Sequence, residues 1–255
     1  MNEKKLAIVT RASGIDDICK ISHPLLREYA KKCKAEFIVI SERKVNIGLF
    51  HNEIFQLYDL LKEYNRICLI DSDVIIKPDT PNIFEVVPNS KIASVFEDYG
   101  SRKKSRQKLI NSIQNKYGDI NWKSGYINTG FFVCSDLHRD IFKVDNKNLW
   151  SDIGHDDVQI GYNINKLGYK IHELEHSYNH MSLFSEQGKS WLDSYVIHYA
   201  GNGFYRRMLR IDQMKRDLDI LDRHPIKRRR FINLLPRLRL VIIGKLMLFK
   251  SFFQH

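Results

Sequence analysis

Cysteine is scarce in this 255-residue chain, with only Cys19, Cys33, Cys68 and Cys134. No two stand at C-x-x-C spacing, which excludes a cysteine zinc site or dithiol motif and leaves reduced, partly buried thiols of a cytosolic protein as the expectation. Acidic residues are missing from position 227 to the end, where eight lysines and arginines stand. Long hydrophobic runs are missing too. The first apolar stretch, Leu6 to Thr10, is too short for a signal peptide, so export is not expected. Four basic residues within 231–253 argue against a bilayer-spanning segment there. No internal repeat or low-complexity block is present.

What remains is the composition of one large soluble domain with an appendage, 43% hydrophobic and 28% charged. The net charge of +11 is unevenly placed, because from Tyr205 onward 14 lysines and arginines face four aspartates and the first 204 residues carry only about +1. The basic character belongs to a tail, which points to an anionic partner, either a membrane surface or nucleic acid.

Hydrophobic patterning predicts a strand at 6–10, a helix at 18–33 and a strand at 37–40. A helix at 52–64, striped by Ile54, Leu57 and Leu61, leads into a buried strand at 66–70. This βαβαβ order implies an α/β fold with a mainly parallel sheet. Further strands are expected at 91–96, 126–134 and 195–199, with a helix at 156–167. The polar, basic stretch 100–123 reads either as a mobile lid or acceptor-facing loop, or as a surface helix over 107–117.

Asp71-Ser72-Asp73 stands where the buried run ending at Ile70 stops, and open α/β sheets place ligands at the carboxyl ends of such strands. Residues i and i+2 of a strand point to the same side about 6–7 Å apart, so both carboxylates can face one hard cation. Three further landmarks follow in order: GYINTGFFV at 125–133, GHDDVQIGYNIN at 154–165 and YVIHYAGNGF at 195–204. With these four, residues 5–205 resemble the GT-A glycosyltransferases that use nucleotide sugars. The likeness is nearest to the retaining bacterial galactosyltransferase and glycogenin group, glycosyltransferase family 8.

The resemblance implies a metal-dependent transfer of a sugar from a nucleoside diphosphate, UDP above others, with retention of anomeric configuration. A divalent cation would neutralise the diphosphate leaving group. The resemblance supplies Asp71, Asp73 and His198 as its ligands; an imidazole beside carboxylates favours Mn2+, with Mg2+ as the alternative. Thr10, Arg11 and Ala12 are expected at the nucleobase and ribose, together with Ser72. Glu53 and Gln56 are candidates for the same region, with solvation on a helix surface as their rival. Asn128 is expected to hold sugar hydroxyls, and Gly201 and Gly203 to let the backbone approach phosphate. The family places a lysine six residues after the metal-binding histidine, where this chain has Phe204; Arg206 and Arg207 are the expected substitutes. Asp156 would lie beneath the anomeric carbon and, with Asp157, form the catalytic pair, either by stabilising positive charge or as nucleophile. A helix beginning at Asp156 would also explain both acids through the macrodipole. His155 is read as a neighbouring polar residue, and the segment Tyr178-Asn179-His180-Met181 as acceptor-side wall or core, without a chemical role. An inverting transferase with Asp156 or Asp157 as general base is the enzyme alternative. A basic membrane- or nucleic-acid-binding module is the non-enzyme alternative.

The chain thus divides into a catalytic domain at 1–204, a helix at 205–223 that packs on it and ends at His224-Pro225, and a basic amphipathic tail at 224–255. On a helix, Leu235, Leu238, Ile242, Leu246, Phe249 and Phe253 make one stripe, with Arg237, Arg239, Lys245 and Lys250 on its flanks. Lys227-Arg-Arg-Arg230 precedes it. Such a helix suits an anionic membrane interface on the cytoplasmic side, with a homo-oligomer interface as a further alternative and nucleic acid disfavoured. The expected acceptor is a lipid-linked or surface glycan.

Overall fold

The computed structural model describes residues 5–12, 14–42, 50–144, 150, 156–224, 228 and 231–252. In chain order the strands are β1 (Leu6–Arg11), β2 (Glu36–Ile40), β3 (Arg66–Ile70), β4 (Val74–Ile76), β5 (Ile92–Phe96), β6 (Ile127–Ser135), β7 (Ile171–Glu173) and β8 (Val196–His198). The α-helices are α1 (Asp16–Lys32), α2 (Leu57–Leu60), α3 (Ile83–Val86), α4 (Lys103–Tyr117), α5 (Asp156–Lys166), α6 (Ser182–Ser185), α7 (Arg210–Arg223) and α8 (Leu234–Phe252).

Six strands form the central sheet in the order β2-β1-β3-β6-β5-β7. Five run in one direction and β6 runs against them, so the sheet is mixed and mainly parallel. The buried run of β3 sits between β1 and β6, and its period of two sorts the core. Ile8, Cys68 and Ile70 face the layer of α1 with Leu26 and Tyr29, whereas Ala7, Val9, Ile67 and Leu69 face Ile160 and Ile164 of α5. β4 and β8 pair antiparallel as a separate ribbon, Val74 opposite His198. This ribbon carries the end of the chain's catalytic portion back to the paired aspartates.

The helix expected at 52–64 needs correction. A 3-10 segment, Phe50–Gln56, leads there into α2, which is only four residues long. Asn52, Glu53, Ile54 and Phe55 are all buried, and four successive buried residues do not share one α-helical face. Of the two readings of 100–123 the helix is the one that forms, as α4, with Ile110 and Ile113 packed on Trp122, Tyr126 and Tyr162. Strand β7, unmarked by any alternating run, forms at the sheet edge beside β5. The four cysteines are free and buried, as expected.

Helix α7 begins at Arg210 rather than at residue 205, because Gln213 ties the preceding turn into a hydrogen-bonded knot. Its carbonyl accepts from the Phe204 and Tyr205 amides (2.8 and 3.2 Å), and its amide donates to the carbonyls of Asn202, Tyr205 and Met208. Asp217 on the same buried face accepts from Trp191 Nε1 (2.8 Å) and from the Tyr199 hydroxyl (2.9 Å). Asp217→Ala leaves both buried donors unpaired and is expected to cost about 2–4 kcal/mol in urea unfolding.

Candidate active site

Strand alternation sets the two sides of the site. Arg11 and Asp71 continue the α5-facing phase of Val9 and Leu69, while Thr10 and Ser72 continue the α1-facing phase of Ile8 and Ile70. Ser72 Oγ donates to the carbonyl of Arg11 (2.6 Å) and lies 2.9 Å from Thr10 Oγ1 and 3.2 Å from His23 Nε2 of α1. Thr10 and Ser72 are buried. They clip the end of β1 to the aspartate loop.

Arg11 is the buried link between the two ends of the site. Its Nη2 donates to Asp71 Oδ1 (2.5 Å), and its Nη1 to Asp156 Oδ2 (2.8 Å) and the carbonyl of His51 (3.1 Å). Burial opposes its charge, but Asp71 and Asp156 outweigh that and keep the guanidinium cationic. Arg11 is therefore an organiser of carboxylates, with its side chain 3% exposed. Glu53 is fully buried, and Gln56 donates to the carbonyl of Glu42 (3.2 Å).

Asp71, Asp73 and His198 offer ligand atoms within 4.8 Å of one another. His198 Nε2 lies 3.3 Å from Asp73 Oδ1 and 3.8 Å from Asp71 Oδ2. The ring is oriented from behind by a chain of carboxamides whose direction is fixed at one end. Glu97 can only accept, so Asn128 turns its Nδ2 toward Glu97 Oε1 (2.7 Å) and its Oδ1 toward Asn179 Nδ2 (2.7 Å). Asn179 Oδ1 then faces His198 Nδ1 at 2.8 Å. Nδ1 therefore donates, so the neutral ring presents its Nε2 lone pair to a cation, the arrangement a metal-ligating histidine needs. Burial opposes ionisation of Glu97, but Arg102 and Arg106 hold its carboxyl below the usual range and keep it an acceptor.

Burial also opposes charge on Asp73 and His198, yet their mutual attraction prevails. Asp73 falls to about 2, helped by Arg210, and His198 rises above its ordinary value. Two carboxylates and one imidazole, all converging, fit a divalent cation of the Mn2+ or Mg2+ kind. Gly130 makes room for the ring, since a Cβ there would stand 2.4 Å from His198 Cε1. It lies in an irregular part of β6, where the register passes from Ala93 opposite Val133 to Val95 opposite Asn128. Such a bulge re-aims side chains. Asn128 turns to the metal side and Thr129 to α5.

Thr129 receives the acids that open α5. Its amide donates to Asp157 Oδ1 (2.7 Å), and its hydroxyl lies 2.8 Å from that oxygen and 2.9 Å from Asp156 Oδ2. One hydroxyl proton cannot serve both. Asp156, held by Arg11 and Thr129, has a side chain only 3% exposed, whereas Asp157 is partly open. Burial, Asp156 and Glu97 together raise the Asp157 carboxyl well above the usual range. His155 lies outside the described residues.

The substitutes expected for the family lysine are not the residues that reach the aspartate and histidine cluster. Phe204 is buried and stacks on Trp191 with centroids 4.5 Å apart. Arg206 and Arg207 are exposed and have no partner among the described residues. Arg210, at the start of α7, donates from Nη1 to Asp73 Oδ2 at 2.6 Å while its side chain stays 36% exposed. Gly203, at φ +62°, is required by packing, because a Cβ would stand 2.4 Å from Gln213 Oε1; Gly201, at φ +63°, faces open space.

Sequence reasoning missed Asn179, Glu97 and Arg210. Asn179 carried a signal, a carboxamide between the apolar Tyr178 and Met181 core positions, but was read as wall. Arg210 carried none, since only the turn before α7 brings it to Asp73. Asn179→Ala frees the ring of His198 and is expected to weaken divalent-cation binding about 10–100-fold, measured with Mn2+ by electron paramagnetic resonance.

The profile described as Glycosyl transferase family 8 matches residues 53–203. Three solved structures share the fold. A glycosyltransferase involved in glycosylation of the major capsid of PBCV-1 superposes with a TM-score of 0.55 at 14% identity, covering 83% of this chain and 99% of the other. The WbbM bifunctional glycosyltransferase gives 0.53 at 13%, covering 85% of this chain and 50% of that one. GlyE of Streptococcus pneumoniae TIGR4 gives 0.50 at 14%, covering 84% and 60%. Among curated proteins, none matches. Six strands in this order with flanking helices are thus the GT-A architecture that the four landmarks implied, and the chain belongs to glycosyltransferase family 8.

Proposed function

We propose that the protein transfers a sugar from a nucleoside diphosphate sugar, UDP being the favoured nucleotide, to a lipid-linked or surface-glycan acceptor. The observation that carries this reading is the converging set of Asp71, Asp73 and His198 with Nε2 of the imidazole directed at the carboxylates. A bound divalent cation, Mn2+ before Mg2+, would supply Lewis-acid stabilisation of the diphosphate that leaves. Arg210, rather than Arg206 or Arg207, is the cation that already touches this cluster, and its exposed face is available to the same diphosphate. Arg11 keeps Asp71 and Asp156 at fixed separation beneath the sugar. In the transfer, the bond from the anomeric carbon to the diphosphate oxygen breaks, a bond to the acceptor oxygen forms, and the acceptor's proton passes to a base.

Retention is the favoured outcome, with a diphosphate oxygen as that base. Inversion, with Asp157 as base, is a second reading supported by one observation: Asp157 is the more open of the two acids, and its proton is held to higher pH than an ordinary carboxylate's. Asp156 is the weaker nucleophile candidate, since Arg11 and Thr129 already occupy its Oδ2.

The tail supports a peripheral place on the inner face of an anionic membrane. Leu235, Leu238, Ile242, Leu246 and Phe249, the stripe read from the sequence, are all exposed on α8, while Leu240 and Gly244 face the body. No described helix is long and apolar enough to cross a membrane. Lys227, Arg229, Arg230 and Phe253 lie outside the described residues, as does Pro225.

Asp73→Asn is expected to abolish metal-dependent turnover of the nucleotide sugar while circular dichroism stays unchanged; wild-type turnover in this variant overturns the reading. NMR of the anomeric product decides retention against inversion. Removal of residues 227–255 is expected to release the protein from vesicles rich in anionic lipid, with each lost basic residue near the surface worth about 1 kcal/mol. Sedimentation with vesicles measures it, and undiminished binding overturns the membrane role.

A further inference from the structure

The loop that follows His198 has a second face. There it walls a cavity of about 660 Å3, closed on the opposite side by α8 and at one end by the turn Gly100–Arg102 that leads into α4. The cavity's charged lining is three arginines and one glutamate: Arg102, Arg206, Arg239 and Glu186. Two of these are already engaged, Arg102 with Glu97 at 3.1 Å and Glu186 with the Ser101 hydroxyl at 2.5 Å. Arg206, from the loop, and Arg239, from α8, have no partner among the described residues. The rest of the α8 wall is apolar, with Leu235, Ile243 and Met247. Leu235 is also part of the exposed stripe, so apolar surface runs without a break from the cavity to the outer face of the helix.

Close docking of α8 is built into the chain. Gly244 lies where a Cβ would stand 2.7 Å from the Cβ of Glu186, so only glycine lets the helix approach α6 this nearly. The tail is therefore a wall of the cavity as well as a surface for other contacts.

We propose that this cavity receives an amphiphile bearing a phosphate group, the phosphate held between Arg206 and Arg239 and the hydrocarbon lying along Leu235, Ile243 and Met247 toward the exposed stripe. Two guanidiniums without carboxylate partners suit a phosphate, which accepts from both in a fork geometry. The apolar wall suits a chain, and the loop that follows His198 forms part of the cavity's lining. That this amphiphile is the acceptor of the transfer rests on the transferase reading above; that the cavity binds it does not.

Isothermal titration of the full chain with dodecyl phosphate, below its micelle concentration, tests the inference, with dodecyl maltoside and inorganic phosphate as the two partial probes. Dodecyl phosphate is expected to bind at least ten-fold more tightly than either. The exposed double variant Arg206→Gln/Arg239→Gln is expected to lose at least ten-fold in its affinity, and Arg206→Lys/Arg239→Lys to recover part of it. Ile243→Ser/Met247→Ser is expected to weaken dodecyl phosphate but not inorganic phosphate. Equal binding of dodecyl maltoside and dodecyl phosphate overturns the inference, as does an affinity for dodecyl phosphate within two-fold of wild type in the Gln variant. Gly244→Val keeps the test open if a lining variant fails to fold, because it displaces α8 without touching either arginine and is expected to lower dodecyl phosphate affinity; unchanged affinity there also overturns it. Mn2+-dependent hydrolysis of a nucleotide sugar, followed in the same wild-type samples, reports on the transferase reading separately, since the cavity needs neither metal nor donor to bind the probe.

Discussion

Five carboxylates, Asp71, Asp73, Glu97, Asp156 and Asp157, converge at the end of the sheet, and the structure depends on how their mutual repulsion is met. In a partly buried setting of low effective dielectric, unpaired charges of this density would oppose folding. Arg11 answers for Asp71 and Asp156, Arg210 and His198 for Asp73, and Arg102 with Arg106 for Glu97. Asp157 makes no salt bridge among the described residues; Arg106 attracts it, but burial beside Asp156 and Glu97 prevails and raises its carboxyl. The pairing that allows the chain to fold thus fixes the other four acids in place.

The metal-binding face is prepared from behind. Glu97, fixed as an acceptor by two arginines, sets the direction of two carboxamides in turn and thereby the tautomer of His198. Arg102, the outermost member of this chain, also lines the cavity beside α8, so one continuous set of contacts runs from that cavity to the histidine nitrogen. The pleat of β6 sends Asn128 and Thr129 to opposite sides of the sheet, and the irregularity that follows contains Gly130, whose missing Cβ makes room for the ring. Each device is local, but none works without the antiparallel strand between β3 and β5.

The later part of the chain is integrated with the catalytic body. Asp217 and Gln213 fasten α7 through buried hydrogen bonds, which is why Phe204, in the position the family gives to a lysine, belongs to an aromatic cluster with Trp191 and Tyr199. With Phe204 packed in that cluster, Arg210, delivered by α7, is the cation that reaches Asp73. Helix α8 then closes over the same region, keeping one apolar face outward.

The amino-acid sequence by itself determined the α/β class, the strand ending at Asp71, the pair of acids at 71 and 73 and the exposed stripe of the tail. These are legible because strand and helix periods, and the pairing of acids at i and i+2, are properties of neighbours along the chain. Even the burial of Thr10 and Ser72 was implicit there, since both fall in the α1-facing phase of their strands. Only the tertiary structure decided that Arg11 joins Asp71 to Asp156, that Asn179 orients His198 and that Arg210 reaches Asp73. It also decided that Asp157, not Asp156, stays open. These contacts link residues as much as 145 positions apart, and their partners are chosen by strand order, a bulge and the turn before α7. The physical reason is that electrostatic pairing depends on distance in space, which no local period records.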